Sequence, residues 1–108
     1  MKRSNPDVLY IYAMQQNIFS ILKKEKKHLH SAFGVEEIGV FGSYARGNAT
    51  PQSDVDIIIK FNRPSFNALM DTYLYLEKIL KRKIDLVTKH KHLSKRFLGI
   101  IEQDIVYV

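Results

Sequence analysis

The chain has no cysteine among its 108 residues, which excludes both a disulfide framework and a thiolate zinc site. That fits a reducing cytoplasm, the compartment expected from the sequence. No apolar stretch reaches membrane-spanning length. The opening "MKRSNPDVLYIYAMQQN" pairs early charge with a short apolar run, but Gln15, Gln16 and Asn17 interrupt it too soon for a signal peptide. It reads as helix. Internal repeats, low-complexity tracts and linkers are all lacking, and prolines number only three and glycines five. With 45% hydrophobic and 26% charged residues, the profile is that of a folded globular chain, with length for one domain and one core.

What the chain does have is positive charge, +6 formally, much of it in "KKEKKH" at 23–28 and "KHKHLSKR" at 89–96. Solvated helix faces explain such runs, and so does attraction for a polyanion such as ATP, RNA or an acidic protein. Charge alone does not choose between them.

Hydrophobic spacing gives the organisation. Asn5-Pro6-Asp7 reads as a helix start. Ile11, Met14, Ile18, Ile21, Leu22 and Leu29 then recur at helical spacing to about residue 31, and Gly34 ends the run. "EEIGVF" and "DVDIIIKF" read as buried strands. Phe66, Leu69, Met70, Tyr73, Leu76, Ile79 and Leu80 mark a second helix, "KIDLV" a third strand, and Leu93, Phe97, Ile100 and Ile101 a last helix. "IVYV" adds a short edge strand. The expected fold is α/β of the α+β type, a mixed sheet of three or four strands packed with helices.

One stretch, "GVFGSYARGNATPQSDVDIII" from Gly39 to Ile59, carries the chemistry. Asp54 and Asp56 are two apart, so in a strand both leave one face, about 7 Å apart, while Val55 points to the other. Aspartate is a poor strand former and like charges repel. Hard divalent cations, which take oxygen ligands, neutralise such a pair. Upstream, Gly42 allows a sharp turn and close approach of a ligand. Ser43 opens "SYARG", a short helical turn whose free N–H groups and hydroxyl suit an anion. Asp85 interrupts the third strand on the face opposite Ile84 and Leu86. Beside Asp54 and Asp56 it would complete a three-carboxylate set for two metal ions. Tyr44 is expected to pack. The histidines at 28, 30, 90 and 92 sit in basic stretches away from the carboxylates.

Gly42-Ser43, ten residues, then Asp54-Val55-Asp56 matches the Gly-Ser-x10-Asp-x-Asp signature of the DNA polymerase β-like nucleotidyltransferases. With "FGSYARG…SDVDI" and "RFLGIIEQDIVYV", the chain resembles the minimal nucleotidyltransferase (MNT) family over nearly its whole length. The resemblance implies that Gly42 and Ser43 hold the triphosphate of ATP. It implies that Asp54 and Asp56 bind two Mg²⁺ ions, and that Asp85 is a third ligand that helps deprotonate the acceptor. Arg46 would contact phosphate or the acceptor, if it is not merely an exposed arginine. Family members that modify tRNA or aminoglycosides carry further domains, which are not expected here. MNT proteins are commonly antitoxins paired with a helical HEPN RNase, to whose tyrosine they transfer AMP. The expected function is therefore an Mg-dependent protein adenylyltransferase antitoxin, with a HEPN toxin as partner. The alternative is a binding antitoxin that acts by occlusion. Direct nucleic-acid binding is disfavoured, since no recognised motif beyond charge is present.

Overall fold

A computed structural model describes residues 6–108. The expected cap at Asn5, and the side chains of Asp7 and Ile11, lie outside the described residues. Helix α1 (Pro6–Phe33) lays Met14, Ile18, Leu22 and Leu29 into the core. It runs two residues past the expected end. It stops where Gly34 adopts φ +74° and its N–H donates to the His30 carbonyl at 3.0 Å.

Four strands follow: β1 (Val35–Phe41), β2 (Val55–Phe61), β3 (Ile84–Thr88) and β4 (Val106–Tyr107). Between them lie α2 (Gly42–Arg46), α3 (Phe66–Leu80) and α4 (Lys95–Glu102). The sheet order is β3-β2-β1-β4, with β1 antiparallel to β2 and β4, and β2 parallel to β3. The mixed sheet expected from the sequence is therefore present with four strands. Parallel β2 and β3 need a crossover, and α3 supplies it. The Ser65 hydroxyl caps α3 by accepting from the Ala68 N–H at 3.0 Å.

Alternation along β2 divides the core. Val55, Ile57 and Ile59 are buried against α1 and α3, while Ile58 packs on the other face with Phe41 and Ile101 of α4. Asp56 shares the face of Ile58 and Asp85 that of Val87, so both carboxylates lie on the α4 side of the sheet. Phe97 and Ile100, expected on the buried stripe of the last helix, are exposed, and Ile101 alone of that helix is buried. Among the described residues, no helix is long and apolar enough to cross a membrane.

Candidate active site

Strand register assembles the site. Phe41 at the end of β1 opposes Asp56, and Asp56 opposes Asp85. Adjacent strands lie about 4.7–4.9 Å apart, so Asp56 and Asp85 stand side by side. The Val55 N–H donates to the Lys83 carbonyl at 3.0 Å, which fixes that register where the two strands begin. Asp54 sits just before β2 and is exposed. The loop leading to it is clipped, because the Thr50 N–H donates to the Ser53 hydroxyl at 2.9 Å and the Ser53 N–H to the Thr50 carbonyl at 3.0 Å. Thr50 and Ser53 hold the approach to Asp54, a role the sequence reading assigned to neither. Their i, i+3 hydroxyl pair was the available signal.

Gly42 closes the other side. It makes the turn from β1 into α2 with φ +69°, and a Cβ added there would overlap the Asp56 carboxylate. Only glycine lets that carboxylate lie against the turn. Phe41 occupies the cap position of α2 and offers no side-chain acceptor, so the first N–H groups of the turn have no side-chain cap. The rest of the turn is pinned. Gly47 (φ +86°) and Asn48 donate to the Ser43 carbonyl at 3.0 and 3.1 Å, Gln15 of α1 donates to the Tyr44 carbonyl at 2.6 Å, and the Tyr44 side chain is fully buried. Arg46 pairs with Asp104 at 3.2 Å, both partly exposed, and lies near enough to Asp56 to stabilise its charge. His90 and His92 lie beyond β3 with their rings 6.2 Å apart, and His28 packs on Phe33 and Tyr75, so the histidines stay out of the site.

Asp56 holds its proton more tightly than an ordinary aspartate. Partial burial raises its pKa first, then the charges of Asp85 and Asp54, while Arg46 works against them. Among the described residues, no three His, Cys, Asp or Glu side chains close into a finished ion cage. The donor chemistry nevertheless fits Mg²⁺: three carboxylates are hard oxygen donors, and the repulsion gathered on Asp56 is what a cation relieves. The arrangement thus has two ends, an uncapped turn that suits phosphate and a carboxylate pair that suits metal.

Ser43→Ala removes one hydroxyl but leaves the N–H groups of the turn. A hydrogen bond to a charged group contributes roughly 1–3 kcal/mol, so kcat/KM for nucleotidyl transfer should fall about 5- to 150-fold. Steady-state kinetics against the aspartate variants checks this. A Ser43→Ala enzyme as inactive as they are would contradict a cradle made mainly by backbone.

Comparison with known proteins gives the family. The family model for the nucleotidyltransferase domain matches residues 20–108. The protein adenylyltransferase MntA of Thermococcus cleftensis is 44% identical over 94 residues, covering 86% of this chain and 94% of its own. A solved structure described as a candidate minimal nucleotidyltransferase shares the fold, with TM-score 0.63, 24% identity, and coverage of 96% of this chain and 98% of that one. The fold also recurs in a complex of a tri-AMPylated Shewanella oneidensis HEPN toxin with an MNT antitoxin (TM-score 0.58, 20% identity, 87% of this chain and 70% of that one). A matched family domain over most of the chain, and close identity to MntA over nearly all of that protein, place this chain in the minimal nucleotidyltransferase family.

Proposed function

We propose that this chain is an antitoxin that transfers AMP from ATP to a tyrosine of a HEPN-type RNase toxin and so neutralises it. The observation that carries the reading is the row Gly42, Asp56, Asp85, in which a left-handed glycine turn and a carboxylate pair lie side by side. Two further observations support it. MntA, the relative named above, is a protein adenylyltransferase. A structural neighbour is a complex with an AMPylated HEPN toxin.

In this reading the N–H groups of Gly42 and Ser43 and the Ser43 hydroxyl hold the triphosphate at the β1 end of the row. The tyrosine oxygen attacks the α-phosphorus from the Asp85 end. A bond forms between that oxygen and the α-phosphorus, the bond from the α-phosphorus to the oxygen bridging to the β-phosphorus breaks, and pyrophosphate leaves. Asp85, exposed at the outer end of the row, receives the tyrosine proton. Two Mg²⁺ ions held by Asp54, Asp56 and Asp85 would supply neutralisation of the triphosphate charge. Arg46 is held by Asp104, which leaves its second charged nitrogen for phosphate or the acceptor.

The occlusion reading has one observation in its favour, the absence of a finished ion cage among the described residues. Labelled ATP separates the two. With Mg²⁺ and the cognate HEPN protein, label in the α-phosphate should pass to that protein and label in the γ-phosphate should not. EDTA or Asp85→Asn should prevent the transfer while the two proteins still associate. Association with no α-label in the partner would favour occlusion.

A further inference from the structure

Helix α3 leaves an apolar ridge uncovered beside this site. Phe66, Met70 and Leu74 are 74%, 37% and 57% exposed. Their i, i+4, i+8 spacing lines them up over about 12 Å of the helix. Phe66 and Met70 belong to the stripe that the sequence assigns to the core, yet the core closes on Leu76 and Leu80 and leaves them in solvent. Next to the ridge, α3 meets β3, an edge strand of the sheet. Two hollows lie along that seam and share Leu69 as a wall. One is lined by Phe61, Pro64, Phe66 and Thr88, with Lys89 and His90 at its rim. The other is lined by Met70, Tyr73, Ile84, Asp85 and Leu86.

We infer that the α3–β3 seam is where the acceptor protein docks, as an amphipathic helix with an apolar stripe and an acidic flank. The inference rests on the adenylyltransferase reading and names the surface that brings the acceptor to the same site. Three features select this occupant. The first is Asp85. It lines the second hollow at the free edge of β3, where its carboxylate, on the α4 side, is reached around that edge, and it is two strands away from the Gly42 turn. A side chain delivered from the seam around the β3 edge would meet the row from the side opposite the triphosphate, as in-line displacement requires. The second is spacing, since an i, i+4, i+8 ridge is the shape that interlocks with another helix. The third is charge: the chain carries +6, and the hollow remote from Asp85 is lined by Lys89, whose contact with Glu37 is long (3.8 Å) and partly exposed, which suits an acidic flank.

The test uses Phe66→Glu together with Leu74→Glu. Both side chains are exposed, and neither belongs to the catalytic row. Phe66→Leu with Leu74→Met is the apolar control. With wild-type protein, Mg²⁺, α-labelled ATP and the cognate HEPN protein, transfer should be saturable in the partner. The glutamate variant should raise KM for the partner about tenfold or more, while its affinity for ATP stays at the wild-type value and the control behaves as wild type. Hydrogen–deuterium exchange on the wild-type complex should show new protection at 66–74 and 84–88, a result that does not depend on any variant folding. An unchanged KM, or protection confined to α1 or α4, overturns the docking surface. So does a wild-type protein that is dimeric in gel filtration and that the glutamate variant makes monomeric, since the seam would then be covered by a second copy. If wild-type protein labels no partner at all, the adenylyltransferase reading itself fails, and that result appears in the wild-type arm alone.

Discussion

Asp54→Asn combined with Asp56→Asn should abolish nucleotidyl transfer and leave the metal-free protein as stable as before, or more so. In the proposed site both carboxylates stand where metal and triphosphate would meet, and several kcal/mol of charge stabilisation would go with them, so transfer should fall by more than about a thousandfold. Stability should move the other way. Burial and the charges of Asp85 and Asp54 raise the pKa of Asp56 above its ordinary 3.8, so the folded chain binds that proton more tightly than the unfolded chain does. The stabilising contribution is therefore fully present at acid pH and is lost as pH rises from near 4 through the raised pKa. At neutral pH wild type carries the whole penalty and the double variant carries none. Thermal melts without metal at pH 3.5 and pH 7 check this: any advantage of the variant should be larger at pH 7. A variant that is unfolded by circular dichroism would mark the pair as structural. One that transfers at the wild-type rate would remove them from the site.

Gly42→Ala should also damage activity, though less, and for a different reason. The left-handed backbone at φ +69° costs an L-residue about 1–2 kcal/mol, which lowers Tm by roughly 5–10 °C in a domain of this size. The added Cβ also overlaps the Asp56 carboxylate and must displace it. Misplacing a reacting group by an ångström lowers the rate by about 100-fold. Gly47→Ala separates the two effects. Gly47 has φ +86°, so the strain is comparable, but its nearest neighbour to an added Cβ is the flexible end of Gln15 at 3.7 Å. The Gly47 variant should lose stability and keep most of its transfer activity. Should both variants lose transfer equally, strain in the turn rather than contact with Asp56 would be the cause.

The difference between Gly42 and Gly47 is also a measure of what the sequence made legible. Gly-Ser, the ten-residue spacer and Asp-Val-Asp are local, and period-two alternation is enough to put Asp54 and Asp56 on one side of a strand start. The element order could be read for the same reason, since α1, α3 and the strands each carry a clean hydrophobic period. What pairs with what could not. Asp56 and Asp85 are brought level by a crossover through α3 and by the Val55–Lys83 hydrogen bond, and no local pattern records that register. Arg46 was visible as a charge, but its bond to Asp104 spans 58 positions and depends on where α4 ends. Periodicity also reports that a helix has an apolar face, not what covers it. Phe66 and Met70 follow the same spacing as Leu76, yet only Leu76 meets α1 and the sheet.

The proposal that AMP is moved covalently is tested most directly by separating the two proteins after reaction. The cognate HEPN protein is incubated with this chain, ATP and Mg²⁺, then purified away under mild denaturing conditions, refolded, weighed intact and assayed for RNase activity. A phosphodiester to tyrosine outlasts the complex. The partner should therefore emerge heavier by a whole number of AMP groups and should stay inactive, whereas partner treated with the Asp85→Asn chain should emerge unmodified and active. A partner of unchanged mass that regains full RNase activity once this chain is removed would contradict the account.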